Sequence, residues 1–186
     1  MRIIFITGNP HKLREAKEIL HSHDVEPREL DLPEIQSLDP KEIVAEKLKA
    51  ARKKVKAKDA AILVEDVSFW IGSTGLPGPL IKWFIKTVGR SGLVAFARVF
   101  GATRARAECN IGVLLPGKRK PHFFTGIVEG RIVGPRGESG FGFDPIFIPD
   151  GNTKTYAEMG AEQKNAVSHR RRALAQLEKQ LRTNVV

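Results

Sequence analysis

The sequence predicts a mixed α/β fold in which an elongated β-sheet is flanked by helices. Strand-like and helix-like hydrophobic patterns alternate along the first third of the chain. Two helix starts combine an N-cap side chain with a following proline, at residues 9–10 and 39–40. Residues 116–118, Pro-Gly-Lys, separate two strand-like stretches, which is typical of an antiparallel hairpin. Together these observations predict helices packed around a mixed sheet.

The amino-terminal elements follow from local signals. Residues 2–7 are mostly β-branched or aromatic and predict a buried strand. The first helix is expected from the Asn9 N-cap to about Leu20, and a second strand is expected near residues 25–31.

The second helix is expected to begin after Asp39, where an acidic residue completes the cap signal, and to end near Val55. Residues 60–64 predict a central strand that ends in Glu65 and Asp66. A loop is expected at 72–79, followed by two helices at 79–88 and 91–100 that are separated at Gly89 to Ser91. Two hairpin strands are expected at 105–115 and 121–133, an irregular glycine-rich segment at 134–145, and a final helix at 161–182.

Length and composition suit one globular domain, or one core plus a small lobe, and residues 1–186 are expected to form a single domain. The chain is 41% apolar and 28% charged, which argues against disorder. No apolar run is long enough to cross a bilayer, and the first residues lack a signal-peptide cleavage site. Because Cys109 is the only cysteine, no internal disulfide can form, and the expected location is the reducing cytoplasm.

The formal net charge of +10 indicates an anionic partner. A polyphosphate substrate and a nucleic acid both satisfy this charge. A solvated basic surface explains it as well, because the basic residues are spread along the chain. The charge therefore leaves all three interpretations open.

The first candidate site is the segment from Thr7 to Lys12, between a predicted strand and a predicted helix. A helix N-terminus binds anions because it presents free backbone N–H groups and the positive end of the helix dipole. Gly8 allows close approach of the backbone, Asn9 adds a polar side chain, and Lys12 opposes the dipole unless an anion lies nearby. An ordinary capped helix with a surface lysine explains these residues equally well. The segment lacks the GxxxxGK[ST] pattern of a Walker A loop.

The second candidate site is the adjacent pair Glu65 and Asp66 at the expected end of a buried strand. Ligands bind at the carboxyl edge of open α/β sheets. Mg²⁺ is typically held by one or two carboxylates, several waters and substrate phosphates. Glu34, in a predicted loop, is a candidate for a further carboxylate. Without such partners, the pair would simply cap a turn.

The third candidate site lies in residues 140–145, where Phe141 and Phe143 alternate with glycines. Aromatic rings in such a loop can stack on a planar base, although each ring taken singly is better explained as part of the core.

The fourth candidate site comprises Lys164 with the Ser168-His169-Arg170 segment of the final helix. Arg170 falls on the helix's apolar stripe, and an inward arginine needs a partner because an unpaired buried charge is costly. Either a ligand is that partner, or the stripe reaches the protein edge by Arg170. The other members of the stripe are Val167, Leu174, Leu177 and Leu181.

These segments occur in the order typical of one family, and the chain resembles the inosine triphosphate pyrophosphatases over almost its whole length. The GLPGPLIKWF and KNAVSHR segments are especially specific. The resemblance implies two lobes that enclose a central nucleotide-binding cleft, and commonly a homodimer. The matching blocks are TGNPHK at 7–12, LPEIQ at 32–36, LVED at 63–66, GLPGPLIKWF at 75–84, GRIVGPRG at 130–137, GFGFDPIF at 140–147, TYAEM at 155–159 and KNAVSHRRRAL at 164–174.

The resemblance also implies an activity, the Mg²⁺-dependent hydrolysis of abnormal purine nucleoside triphosphates such as ITP, dITP and XTP to the monophosphate and pyrophosphate. It implies that Asp66 is the general base or a metal ligand, and that Glu34 and Glu65 are metal ligands. The residues implied to contact the substrate are Thr7, Gly8, Asn9, Pro10, His11, Lys12, Lys47, Val67, Phe141, Gly142, Phe143, Asp144, Lys164, His169 and Arg170.

Base selectivity would depend on the 6-oxo acceptor of inosine and xanthosine, which a donor from His169 or Arg170 favours over the adenine amino group. The sequence departs from the family at Val67, where Ser or Thr is common, and Ser68 is a candidate to supply that hydroxyl. It also departs at Phe143, where relatives often carry Trp or Tyr, so that stacking is retained and a polar contact from the ring is lost.

Two other functions compete with this one. A nucleic-acid-binding module would use the basic surface, but it gives no role to Glu34 and Asp66. A nucleotide kinase or other phosphotransferase is disfavoured by the missing Walker A pattern. The resemblance implies a small-molecule purine nucleotide as partner, no membrane and no specific nucleic acid.

Overall fold

The computed structural model describes residues 1–183. Its strands are β1 (Arg2–Ile6), β2 (Asp24–Arg28), β3 (Ala61–Ile71), β4 (Pro77–Gly78), β5 (Arg104–Leu114), β6 (His122–Ile132) and β7 (Phe147–Pro149). Its helices are α1 (Pro10–Ile19), α2 (Pro40–Lys54), α3 (Ile81–Val99), α4 (Ala161–Val167) and α5 (His169–Thr183), and a 3-10 turn covers Asp144–Ile146.

The seven strands form one mixed sheet with the order β2-β1-β3-β5-β6-β7, and β4 pairs with β3 beside this path. β1 runs parallel to both β2 and β3, with Phe5 level with Leu63. β4 is antiparallel to β3, and β7 is antiparallel to β6. The predicted mixed α/β class is confirmed.

The chain forms two compact units. Unit 1 contains Met1–Asp66, Cys109–Gly126 and the described part of Arg170–Val186. Its core includes Ile4, Val44, Leu48, Val64 and Leu114. Unit 2 contains Val67–Glu108 and Ile127–His169. Its core includes Phe69, Ile71, Leu93, Phe143 and Phe147.

Both predicted helix starts are confirmed. The Asn9 side chain caps α1, and the Asp39 side chain caps α2 by accepting from the Lys41 N–H at 2.8 Å. The predicted break near Gly89 is also confirmed, because this glycine interrupts α3 with φ 70° and ψ −177°. A positive φ of this kind favours glycine.

The predicted end of the central strand at residues 65–66 is wrong, since β3 continues to Ile71. Residues 67–71 are mostly apolar or aromatic and suit a strand. They also have a partner that no local pattern reveals, because Phe69 lies level with Gly78 of β4.

Three smaller differences concern short strands. β2 covers residues 24–28, whereas the sequence predicted residues 25–31. β4 lies within the segment predicted as a loop, and β7 was not predicted. Strands of two or three residues carry too little periodicity to be recognised from sequence.

The prediction of a single helix over residues 161–182 is wrong. The chain is extended at Ser168, with φ −74° and ψ 154°, and α4 and α5 lie on either side of it. Serine is favoured immediately before a helix. His169 and Arg170 consequently lie in the first turn of α5.

No helix within residues 1–183 has the length and apolar character needed to cross a bilayer. Cys109, on β5, is buried and has a free thiol. Burial is the main reason that the pKa of this thiol lies well above 9.0.

Candidate active site

The loop between β1 and α1 has the predicted helix-start geometry. Asn9 Oδ1 accepts from the backbone N–H groups of His11 at 2.9 Å and Lys12 at 3.4 Å. Thr7 Oγ1 accepts from the Asn9 N–H at 3.1 Å. A Cβ added at Gly8 would lie 2.8 Å from Oε1 of Glu29, but this atom is the end of a flexible side chain that can move aside, so the protein itself does not require glycine here.

Lys12 belongs to a buried network of charges in unit 1. Its Nζ lies 3.1 Å from Glu65 Oε1. Arg170 donates to both oxygens of the same carboxylate, from Nη2 at 2.7 Å and from Nε at 2.8 Å. Arg170 Nη1 also donates to Glu15. Two cations and two carboxylates are thereby joined, and Lys12 has an anion beside it that offsets the unfavourable helix dipole.

This network decides between the two alternatives for Arg170. The residue is only 1% exposed, so the alternative that the apolar stripe has reached the protein edge is wrong. The guanidinium has Glu65 and Glu15 as partners. Sequence reasoning missed Glu15, although an inward arginine demands a carboxylate and Glu15 lies one helical turn after Lys12.

Lys47, on α2, connects the two other acidic candidates in unit 1. Its Nζ lies 2.7 Å from Asp66 Oδ1 and 3.2 Å from Glu34 Oε1. Asp66 Oδ2 is buried and has no hydrogen-bond partner. The structure therefore brings the candidate residues Glu34, Lys47 and Asp66 together, and Asp66 Oδ2 is left for a further interaction.

The adjacent acids Glu65 and Asp66 differ in electrostatic environment. Burial raises the pKa of Glu65, but the charges of Arg170 and Lys12 outweigh it and hold this pKa well below 4.5. Burial also raises the pKa of Asp66, and here the Lys47 ammonium opposes the rise without cancelling it, so the pKa lies above 3.8. Side chains whose environments push their pKa values apart are candidates for different roles.

The register of the sheet explains why these acids occupy a functional position although β3 continues beyond them. β1 ends at Ile6, and its Phe5 lies level with Leu63 of β3. Continuing this register places Thr7 level with Glu65. The carboxylates therefore lie where the parallel strand β1 ends, and this edge is where α/β sheets bind ligands.

Within residues 1–183, no group of three or more His, Cys, Asp or Glu side chains is arranged to hold a metal ion. Asp66 and Glu34 nevertheless share the Lys47 ammonium, so one cation already lies between them. One or two carboxylates suffice for Mg²⁺ when waters and phosphates complete its coordination. The pair fits such an ion, whereas the Glu65 oxygens are occupied by Arg170 and Lys12.

In unit 2, Asp144 organises the glycine-rich loop. Its Oδ2 accepts from the Phe141 N–H at 2.8 Å and from Lys164 Nζ at 2.7 Å. Lys164 also lies 4.5 Å from the centre of the Phe141 ring, a cation–π contact. Gly140 has φ +83°, and a Cβ there would lie 2.5 Å from Asp144 Oδ2. Gly142, with φ +62°, likewise needs glycine for its backbone conformation.

The two phenylalanines of this loop are in different surroundings. Phe143 is 5% exposed and stacks on Phe69 with ring centres 4.4 Å apart, so it is a core residue. Phe141 is only partly buried. His169 is buried against Tyr156, with ring centres 6.0 Å apart. Of the two rings in the loop, Phe141 is the better candidate to contact a ligand.

The two residues that follow Asp66, Val67 and Ser68, differ in their surroundings. Val67 packs against the core of unit 2. Ser68 is fully buried, and its Oγ has no hydrogen-bond partner. A buried hydroxyl without a partner is uncommon, so Ser68 stays a candidate for the hydroxyl contact that Val67 cannot make.

Comparisons with known proteins place these residues in a family. The model of the Ham1 family matches residues 3–180. A protein of Schizosaccharomyces pombe named inosine triphosphate pyrophosphatase is 46% identical over 173 residues, which cover 90% of this chain and 88% of that protein.

Solved structures support the same grouping. The Ham1 protein of Staphylococcus aureus has a TM-score of 0.80 at 27% identity, covering 99% of this chain and 100% of that one. A Mycobacterium abscessus protein described as a nucleoside-triphosphatase / dITP/XTP pyrophosphatase has a TM-score of 0.66 at 28% identity, covering 95% and 98%. Because the family model spans nearly the whole chain and the yeast relative is 46% identical, this chain belongs to the Ham1 family.

Proposed function

We propose that this protein hydrolyses abnormal purine nucleoside triphosphates (ITP, dITP and XTP) to the nucleoside monophosphate and pyrophosphate, which removes them from the nucleotide pool. The observation that carries the proposal is the 46% identity to a protein named inosine triphosphate pyrophosphatase, over about nine-tenths of both chains. The described activity of the Mycobacterium abscessus structure supports the dITP and XTP part.

In the proposed reaction, Asp66 accepts a proton from the water that attacks the α-phosphorus. The bond between this phosphorus and the oxygen leading to the β-phosphorus breaks, and pyrophosphate leaves with that oxygen. The buried Oδ2 atom of Asp66 supports this role, as does the raised pKa of the carboxyl, which makes it a stronger base than an ordinary aspartate. Lys12 and Lys47 would balance the charge of the phosphates.

The metal in this proposal is Mg²⁺, held by Asp66 and Glu34. When bound, it would neutralise and orient the phosphates. Two observations support Asp66 and Glu34 as the metal ligands. Both carboxylates already contact one cation, the Lys47 ammonium, and Asp66 Oδ2 is buried without a hydrogen-bond partner. Glu65 is placed outside the ligand set, because Arg170 and Lys12 already occupy its oxygens.

Recognition of the base is assigned to Phe141, Asp144, Lys164 and His169, with Arg170 as a further donor. Phe141 would stack on the purine, and a donor from His169 would favour its 6-oxo group. Arg170 would reach the base most readily by exchanging one of its carboxylate contacts, since each of its nitrogens donates to Glu65 or Glu15.

Pyrophosphate release from ITP, XTP, dITP, ATP and GTP in the presence of Mg²⁺ tests the proposed substrate class. We expect kcat/KM for ITP and XTP to exceed that for ATP by about a hundredfold or more, because a site built around a hydrogen bond rejects a mismatched group strongly. Equal values for ITP and ATP would contradict the assignment. Salt-sensitive binding of nucleic acid without hydrolysis would favour the alternative of a nucleic-acid-binding module.

The pH dependence of kcat/KM tests the role of Asp66. Activity should be lost as pH falls through the pKa of Asp66, because only the carboxylate accepts a proton. Since burial raises this pKa, the midpoint of the loss should lie above 3.8 in the enzyme free of metal and substrate. Replacing Lys47 by methionine should move the midpoint to still higher pH, because the ammonium lowers the pKa of Asp66. An unchanged midpoint in Lys47→Met would argue that another group is titrating.

A homodimer and a cytoplasmic location are also proposed. The family resemblance supports the dimer, and the free thiol of Cys109 is consistent with a reducing compartment. Light scattering coupled to size-exclusion chromatography tests the first of these, and a mass equal to one chain would exclude it.

A further inference from the structure

Glu65 is the acidic residue in unit 1 that is most completely enclosed by cations. Its side chain is 2% exposed. Oε1 lies 2.7 Å from Arg170 Nη2 and 3.1 Å from Lys12 Nζ, and Oε2 accepts from Arg170 Nε at 2.8 Å. A carboxylate has about four lone-pair positions, and three interactions with positive groups use most of them.

This arrangement sets Glu65 apart from the roles assigned to its neighbour. Asp66 has a buried oxygen without a partner, which a water or a metal ion can use. Glu65 would have to lose its contact with Lys12 or Arg170 before it could bind a metal ion. The same cations hold the pKa of Glu65 well below 4.5, so it is a weaker base than an ordinary glutamate for the proton of an attacking water.

Lys12, in turn, needs a nearby anion. Its stem is long and flexible, and it lies in the first turn of α1, where the helix dipole repels a cation. The side chain is nevertheless only 22% exposed, because the ion pair with Glu65 holds the ammonium against the sheet. Arg170 in turn fixes the Glu65 carboxylate through two parallel hydrogen bonds, a geometry that leaves it little freedom to rotate.

We propose that Glu65 is a positioning residue that holds the Lys12 ammonium at the amino-terminal end of α1, ready for the triphosphate. This inference rests on the proposed function, in which Lys12 contacts the phosphates. Positioning of this kind contributes to binding and rate because the ammonium does not have to be ordered when the substrate arrives.

The test compares Glu65→Gln with Glu18→Gln, which makes the same chemical change at an exposed residue of α1. Steady-state hydrolysis of ITP is measured over a range of Mg²⁺ concentrations, and thermal unfolding is recorded for each variant. We expect KM for ITP to rise about tenfold in Glu65→Gln, with the half-saturating Mg²⁺ concentration unchanged within about twofold. Glu18→Gln should match the wild type in both.

A double-mutant cycle with Lys12→Met separates positioning from a general structural effect. If Glu65 acts through Lys12, the Lys12→Met change should raise KM at least about fivefold less in the Glu65→Gln background than in the wild type. Additive effects would overturn the proposal. So would an unchanged or lower KM in Glu65→Gln, which would mean that Glu65 competes with the phosphates, or a large rise in the Mg²⁺ requirement, which would make it a metal ligand.

Two further measurements keep the proposal testable. If Glu65→Gln shows no cooperative unfolding transition, Glu65→Asp keeps the charge and shortens the side chain by one methylene, and an unchanged KM in that variant counts against positioning. If the wild type releases no pyrophosphate from any purine triphosphate, the proposed function has failed. The positioning role is then judged by calorimetric binding of inorganic tripolyphosphate, which should be weaker in Glu65→Gln than in Glu18→Gln and which overturns the proposal if it is equal in both.

Discussion

Asp66→Asn is expected to lower kcat/KM for ITP by about 10²–10⁴, the range typical of losing a general base. Asparagine has the same shape, but it cannot accept the proton of the attacking water and is a poorer ligand for a hard cation. The fold should persist, because Lys47 keeps Glu34 as a partner at 3.2 Å. The measurement is pyrophosphate release under saturating Mg²⁺, with circular dichroism to confirm folding.

The matched control is Asp59→Asn, which makes the same change at an exposed carboxylate of unit 1. Asp59 pairs with Arg2 at the surface, and its side chain is 71% exposed. Such pairs contribute little, so kcat/KM should stay within about twofold of the wild type. If Asp66→Asn retains near-full activity with ITP, neither the base nor the metal role of Asp66 survives.

The parts of the fold that the sequence predicts correctly are those with signals of their own. The starts of α1 and α2 carry an N-cap and a proline, and the break in α3 carries Gly89 with a positive φ. Each of these signals acts over a few residues. Local chemistry is therefore enough to predict them without knowledge of distant contacts.

The errors occur where distant segments decide the structure. β3 extends past Asp66, where β4 pairs with it, and the sequence of residues 67–71 does not indicate that this pairing strand exists. The two acids are nevertheless level with the point just past Ile6 at which the neighbouring parallel strand β1 ends. The predicted position of Glu65 and Asp66 at the end of their own strand is therefore wrong, and they lie within β3 instead.

In the candidate site, too, local features were predictable from the sequence and long-range contacts were not. The residue types were predictable, since helix-start, carboxylate and basic segments are visible in the sequence. The pairings were not, because Glu15 and Arg170 are separated by 155 positions. Spacing suggested that Arg170 points inward, but only the folded chain shows that its guanidinium donates to two glutamates, Glu65 and Glu15.

Arg170→Met is expected to have the largest effect on stability. The guanidinium is 1% exposed and compensates the buried carboxylate of Glu65 and that of Glu15. Methionine fills a similar volume but removes the guanidinium from both carboxylates and leaves the buried Glu65 with the Lys12 ammonium alone. Breaking a buried ion pair by removing one partner costs about 3–5 kcal/mol. The free energy of unfolding at pH 7, from urea titration, should fall by that amount. Arg171→Met, at the exposed neighbouring position, should change it by less than about 1 kcal/mol.

The pH dependence of the same experiment identifies the cause. In the wild type, the cations hold the pKa of Glu65 below its unfolded value of 4.5, so this stabilisation is present above pH 4.5 and is lost as pH falls through the folded pKa. In Arg170→Met, only Lys12 still opposes the effect of burial, so the pKa of Glu65 should rise and protonating Glu65 at low pH should cost the variant less stability than the wild type. The difference between wild type and variant should therefore narrow on acidification. A difference independent of pH would mean that lost packing, and not an uncompensated carboxylate, destabilises the variant.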